Sequence, residues 1–146
     1  MDASKQFFIE VERLEGRELE AYQDEKGIWT NGVGHTKNVK KGDVITDEQC
    51  DKLLLEDTRF VENCLDNCGL QLSKNQFDDL ALLVFNIGET QFRSSTIYRL
   101  LKLKACRKDI ENAWELFQKV RIGPTLVKSR GLLIRRKFEH SLFFKS

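Results

Sequence analysis

Proline occurs once in this chain, at Pro124, methionine once and histidine twice, and no stretch is rich in glycine and serine. These scarcities leave no sign of an interdomain linker or a low-complexity tract, and no internal repeat is visible. Long apolar runs are missing as well. None approaches the roughly 20 residues that a membrane span requires. The opening Met-Asp-Ala-Ser-Lys-Gln-Phe-Phe-Ile-Glu is broken by charge before a signal-peptide core forms. The expectation is a chain that is cytoplasmic at synthesis and makes no stable membrane insertion. A dominant charge of one sign is also absent: 24 Lys and Arg against 23 Asp and Glu leave +1. That balance, with no helix-turn-helix signature, argues against a nucleic-acid partner.

What is present is the composition of an ordinary folded domain, 146 residues of which 40% are hydrophobic and 32% charged. A chain of this size buries about 70% of the surface it exposes when unfolded, enough for a core without a metal or disulfide staple. The charge is unevenly spread. Residues 1–36 carry 4 basic and 8 acidic side chains, a balance of −4, and residues 119–146 carry 8 basic and 1 acidic, a balance of +7. Either the two ends attract one another or the basic end meets an anionic partner. Of the four cysteines, Cys50, Cys64, Cys68 and Cys106, the pair Cys64 and Cys68 stands one helical turn apart. A zinc site needs two more ligands, and His35 and His140 show no matching spacing, so no metal is expected and the thiols are expected to be reduced.

Ser4 is placed to cap a helix whose Phe7, Phe8, Val11 and Leu14 share one face, with Gly16 suited to end it. From Leu19 to Thr36 the periodicity changes to short strands with tight turns among Gly27, Gly32 and Gly34. Thr46 with Gln49, and Ser73 with Gln76, are capping-box starts of two helices that run towards Gly69 and Gly88. Further helices are expected near 95–103, 108–119 and 129–143. The sum is an α+β fold, mainly helical, with a small β element near the N-terminus.

Asp24 and Thr30 are equidistant from Gly27, so a hairpin turning about Gly27 would make them cross-strand neighbours. Glu15 sits at a helix C-terminus, where the dipole and any burial disfavour its charged form, whereas Asp24 on a hairpin more readily stays ionised. Two carboxyls with opposed preferences are what cleavage of a glycosidic bond requires.

The string Glu15-Gly16, Leu19, Ala21-Tyr22, Asp24, Gly27, Thr30, Gly32 and Gly34-His35-Thr36 resembles the N-terminal signature of phage-type lysozymes, the endolysins of glycoside hydrolase family 24. Two further blocks are similar to the same family in the same order. The first comprises Gln76-Phe77-Asp78, Phe85-Asn86-Ile87-Gly88 and Phe92 to Thr96; the second Gly131-Leu132, Arg135-Arg136, Glu139 and Leu142-Phe143.

The resemblance implies a lysozyme-like fold over 1–146, a small lobe at about 15–60 and a helical lobe that includes the N-terminal helix, with the glycan cleft between them. It implies a monomeric muramidase that cuts the β-1,4 bond between N-acetylmuramic acid and N-acetylglucosamine in peptidoglycan strands, with no metal or cofactor, acting on the wall after release. Glu15 maps onto the general acid, Asp24 onto the second carboxylate and Thr30 onto the residue that helps to hold the attacking water, which predicts inversion. Phe85 and Asn86 map onto the sugar-facing segment, and the alternative for Phe85 is helix core. His35 and Arg135 map onto supporting positions. Arg135 or Arg136 is a candidate partner for Glu15, while Arg135 and Glu139 are also spaced for an ordinary surface ion pair. Asn31 and Val33 depart from the usual apolar or tyrosine residues, and Val120 stands where a Trp is common. A silent glycan-binding protein on the same scaffold and a hydrolase of another amino-sugar polymer such as chitin are the rival readings.

Overall fold

The computed structural model describes the backbone of residues 3–122 and 125–145, and their side chains except those of 120–122 and 126. In chain order the elements are α1 (Lys5–Glu15), β1 (Glu18–Gln23), β2 (Trp29–Gly32), α2 (Asp47–Asp66), α3 (Lys74–Ile87), α4 (Glu89–Arg93), α5 (Thr96–Lys102), α6 (Arg107–Glu115), β3 (Lys119–Ile122), β4 (Thr125–Lys128) and α7 (Arg130–Phe143). The chain divides within α2 into two compact units: Lys5–Phe60, and Val61 onward together with the residues before Lys5.

In the Lys5–Phe60 unit, α1 buries Phe7 and Val11 and stops where Gly16 turns to φ +78°, its N–H returning to the carbonyl of Glu12 at 2.7 Å. Only glycine adopts that backbone without steric cost, so the expected stop holds. The sequence reading placed α1 with the helical lobe, but it groups with the β element. Arg17, one residue past Gly16, explains this physically. Its guanidinium donates to Glu12 of α1 and to Asp47 and Asp51 of α2, the last two at 3.1 and 2.6 Å. Three carboxylates on one cation tie the end of α1 to the start of α2. The capping box of α2 is present, with Thr46 N–H on Gln49 at 2.9 Å and Gln49 N–H on Thr46 at 3.1 Å.

β1 and β2 form an antiparallel hairpin with a bulge between Glu18 and Tyr22. Its other edge is covered by the segment before α2, with Ala21 N–H on Asp43 O at 2.8 Å and Ile45 N–H on Leu19 O at 2.9 Å.

In the second unit α3 is the central helix. Phe77, Leu80, Ala81, Leu82, Leu83 and Val84 are all buried, as expected of a helix enclosed on most sides. Its N-terminus carries the Ser73–Gln76 capping box and its C-terminus ends at Gly88, φ +89°. The helix packs against α7, which also meets α6. Ser4 does not serve as a simple cap: its amide donates to Asp78 Oδ1 at 2.9 Å and its hydroxyl donates to the other oxygen of the same carboxylate.

The sequence reading missed the short helix α4 and a second hairpin. The helix expected to 119 ends at Glu115, and Lys119–Ile122 pairs with Thr125–Lys128 in a second antiparallel hairpin, in register from Lys119↔Lys128 to Ile122↔Thr125. Gly123 and Pro124, between the strands, and the side chain of Val120 lie outside the described residues. The physical cue was a Gly-Pro dipeptide flanked by β-branched residues. No helix among the described residues is long and apolar enough to cross a membrane.

Candidate active site

The Lys5–Phe60 unit holds Glu15, Asp24, Thr30 and His35; Phe85, Asn86 and Arg135 belong to the other. Glu15 closes α1 and is half-buried. Gly34 lies against it: a β-carbon there would stand 3.4 Å from Glu15 Oε2, and the backbone has φ +68°.

Asp24 belongs to the turn itself. Its backbone N–H bonds Ile28 O and its carbonyl receives Gly27 N–H, both at 2.9 Å. Its Oδ1 accepts from the N–H groups of Lys26 at 2.8 Å and Ile28 at 2.9 Å. This is the Asx-turn geometry that Asp favours. It leaves Oδ2 without a hydrogen bond among the described residues.

Thr30 is buried at 4% exposure, and its hydroxyl donates to Ile28 O at 2.9 Å. The expected pairing of Asp24 with Thr30 is not observed. Thr30 faces Tyr22 across the ladder and Asp24 faces Ile28, because the turn is closed between Asp24 and Gly27 instead of being centred on Gly27. The two side chains are linked through one residue instead: Ile28 gives its N–H to Asp24 and its carbonyl to Thr30.

Tyr22 was quoted in the sequence only as part of a pattern, yet it responds to both carboxyls. Burial, with the charges of Glu18, Glu15 and Asp24, pushes its phenol above the usual range. Only the ladder register reveals that it stands opposite Thr30. His35 is almost fully buried; its Nδ1 is 2.7 Å from Asp57 Oδ2, and its backbone pairs with Asn31 through two 2.9 Å bonds.

In the second unit Phe85 is half-buried and Asn86 exposed in the last turn of α3. Asn86 Oδ1 accepts from Arg136 Nη2 at 2.9 Å, which fixes the amide with its NH₂ on the opposite side. The reading of Arg135 and Glu139 as a surface pair is corrected. Glu139 is fully buried and its main partner is Arg136, also fully buried, with Nε at 2.9 Å and Nη2 at 3.1 Å. Trp114 Nε1–H donates to the same carboxylate at 3.1 Å, while Arg135 Nε stands at 3.5 Å. Helical spacing gave Arg135 and Glu139 the i,i+4 relation but could not show that this face of α7 is turned inward. Burial lowers the Arg136 guanidinium to about 10 and pushes the Glu139 carboxyl up, each opposed by the charge of the other.

All four cysteines are free thiols, Cys50, Cys64 and Cys68 buried and Cys106 exposed, and burial pushes Cys64 up to about 11. Among the described residues no cluster of three or more His, Cys, Asp or Glu is arranged to hold a metal.

The phage lysozyme family model matches residues 12–139. The chain is 37% identical to the endolysin of Acyrthosiphon pisum secondary endosymbiont phage 1 and 38% identical to that of Salmonella phage P22, each match covering 98% of both chains. The solved structure of the endolysin from Escherichia coli O157:H7 phage FAHEc1 superposes with a TM-score of 0.92 at 31% identity, covering 99% of this chain and 94% of that one.

Proposed function

The chain belongs to the phage lysozyme family, and from that premise we propose that Glu15, Asp24 and Thr30 carry out its hydrolysis of bacterial peptidoglycan. It is a glycoside hydrolase of the endolysin type, a muramidase cutting between N-acetylmuramic acid and N-acetylglucosamine. Glu15 protonates the leaving glycosidic oxygen. Asp24, with Oδ1 held by two backbone N–H groups, presents Oδ2 to the positive charge that develops at the sugar's anomeric carbon. The Thr30 hydroxyl has already given its proton to Ile28 O, so it can only accept. It therefore orients a water by accepting a hydrogen bond from it, Asp24 Oδ2 takes the proton this water loses as it attacks, and attack from that side inverts the anomeric centre.

Asn86 offers its NH₂ to an acetamido carbonyl or sugar hydroxyl, since Arg136 occupies its oxygen, and Phe85 supplies an apolar edge. His35 holds the loop that carries Gly34, and Arg135 supports the Glu139 cluster. In this reading residues 1–146 form one catalytic domain that works as a monomer and meets the wall after release from the cell that made it.

The observation that carries the proposal is the contrast between the two carboxyls. Glu15 is half-buried against Gly34, and Asp24 is locked into a turn with one oxygen to spare. The test is hydrolysis of purified peptidoglycan by the wild type and Glu15→Gln, read as new reducing ends and product masses, with chitin oligomers in parallel. Muropeptides from the wild type alone are expected. Full activity of Glu15→Gln would overturn the acid assignment; cleavage of chitin alone would change the substrate, and no product from either folded protein would favour a silent glycan binder.

A further inference from the structure

From Phe92 to Lys108, through the end of α4, all of α5 and the start of α6, the chain carries six basic side chains and no acidic one, although its net charge is only +1. All six, Arg93, Arg99, Lys102, Lys104, Arg107 and Lys108, are exposed. Arg93 and Arg107 each hold one carboxylate, Glu89 at 3.0 Å and Glu111 at 3.4 Å. Arg99, Lys102 and Lys104 make no ion pair among the described residues, and Lys102 Nζ stands 5.1 Å from the centre of the Tyr98 ring.

Two surface hollows are lined by these cations and share Lys102. One, of about 440 Å³, has Leu70, Leu72, Leu101, Ile110 and Phe143 as its apolar walls, with Lys102, Lys104 and two glutamines among the polar ones. The other, of about 350 Å³, brings in Arg93, Arg99 and Leu103. No Asp or Glu lines either hollow. Leu103, which stands between two lysines in the chain, is 71% exposed. The backbone here is also unusual. α5 ends with Lys104 N–H on Leu101 O at 3.2 Å and Ala105 N–H on Leu100 O at 3.0 Å, a stop whose left-handed position, φ +55°, is taken by Lys104. Glycine fits that position without steric cost, so a lysine there lowers stability and leaves a cation beside Leu103.

We propose that this face docks on an anionic phospholipid bilayer, with Arg99, Lys102 and Lys104 against the phosphate groups and Leu103 entering the acyl boundary between them. A soluble polyanion would engage the cations but has no counterpart for an exposed leucine or for the apolar hollow beside it, whereas a phospholipid supplies both an anionic head and an apolar tail. The contact is peripheral and reversible, because a single leucine buries far less apolar surface than a spanning helix. Each cation close to an anionic lipid surface contributes about fivefold in affinity, so three together contribute about a hundredfold. Docking keeps the enzyme at a membrane surface that adjoins its substrate, and it does not depend on the roles of Glu15, Asp24 and Thr30.

The test sediments the full chain with vesicles of phosphatidylcholine alone and with added phosphatidylglycerol, at low and at high salt. Binding is expected with the anionic vesicles only, and it falls at least tenfold at high salt as the charges are screened. Changing Arg99→Gln, Lys102→Gln and Lys104→Gly together lowers the affinity about a hundredfold. Lys37→Gln, Lys40→Gln and Lys41→Gln together, at exposed lysines of the other unit, remove the same charge and leave binding within about threefold of the wild type. Leu103→Ser keeps every charge and lowers lipid binding about tenfold. Lys104→Gly alone raises the thermal midpoint while weakening binding, a combination that a purely structural lysine would not give. The proposal is overturned if the anionic vesicles do not bind, if vesicles of phosphatidylcholine alone bind equally, or if the two triple variants lose affinity equally. It is also overturned if Leu103→Ser binds lipid as the wild type does, and polyphosphate is then the probe for a soluble polyanion in its place.

Discussion

The backbone of Gly34 lies directly against the carboxyl of Glu15, close enough that a β-carbon at Gly34 would stand 3.4 Å from Oε2 and 3.6 Å from Cγ. That is close to ordinary van der Waals distance, so a methyl there would press directly on the carboxyl. The left-handed φ of +68° adds strain for any residue with a side chain.

Gly34→Ala is therefore expected to lose about 1–2 kcal/mol of stability from the backbone alone and to lower turnover at least tenfold. Gly42 also has a positive φ, +89°, with no atom within 4 Å of a built β-carbon. Gly42→Ala should show a comparable loss of stability with turnover intact. Denaturant unfolding and peptidoglycan hydrolysis measure the two effects, and equal turnover in both variants would remove Gly34 from the site.

Asp24 has two separable duties, closing the turn through Oδ1 and presenting charge through Oδ2. Asp24→Asn keeps an acceptor for the Lys26 and Ile28 amides and is expected to hold stability within about 0.5 kcal/mol while losing most activity. Asp24→Ala loses activity as well and a further ~1 kcal/mol as the turn amides lose their partner. A fully active Asp24→Asn would show that the charge is not needed.

His35 and Asp57 meet at 2.7 Å with side chains 11% and 30% exposed. Removing either partner, as His35→Asn or Asp57→Asn, is expected to cost about 1–3 kcal/mol. The double variant should cost much less than the sum, because the second change no longer breaks a bond. Additive losses in thermal or denaturant unfolding would show that the pair is not coupled.

The Arg136–Glu139 pair is fully buried, so removing one member leaves a charge with no solvent to hold it. Arg136→Met is expected to destabilise by about 3–5 kcal/mol. Glu139 also sets a pH dependence. Its native carboxyl holds a proton to higher pH than the unfolded chain's, whose value is about 4.3. Between those two values the native state binds more protons, so this group's contribution is complete below about 4.3 and is lost as pH rises through the native value. The difference in unfolding free energy between wild type and Glu139→Gln, followed from acid towards neutral pH, should fall across that interval. A difference that rises with pH would reverse the assignment.

Much of this protein was legible in its sequence because the signals are local. Gly16 and Gly88 end their helices through the backbone of one residue, and the Thr46–Gln49 and Ser73–Gln76 boxes close within a single turn. The second hairpin escaped because its strands are only four residues each, too short for a periodicity to stand out beside the neighbouring helices.

What the sequence could not determine depends on which groups are brought out of water together. Spacing placed Asp24 and Thr30 symmetrically about Gly27, but the Asx turn of Asp24 shifted the register, and only the folded ladder shows that both converge on Ile28. Spacing likewise offered Glu139 a surface partner in Arg135, whereas the packing of α7 against α3 and α6 buries that carboxylate beside Arg136 and Trp114. By itself the sequence determined the locally closed caps and helix stops and which residues carry the family's signature, since such caps and turns are settled between near neighbours. Tertiary structure alone decided which charges are paired in the interior and how the Glu15 carboxyl is walled, because desolvation depends on what packs around a group and no local pattern encodes it.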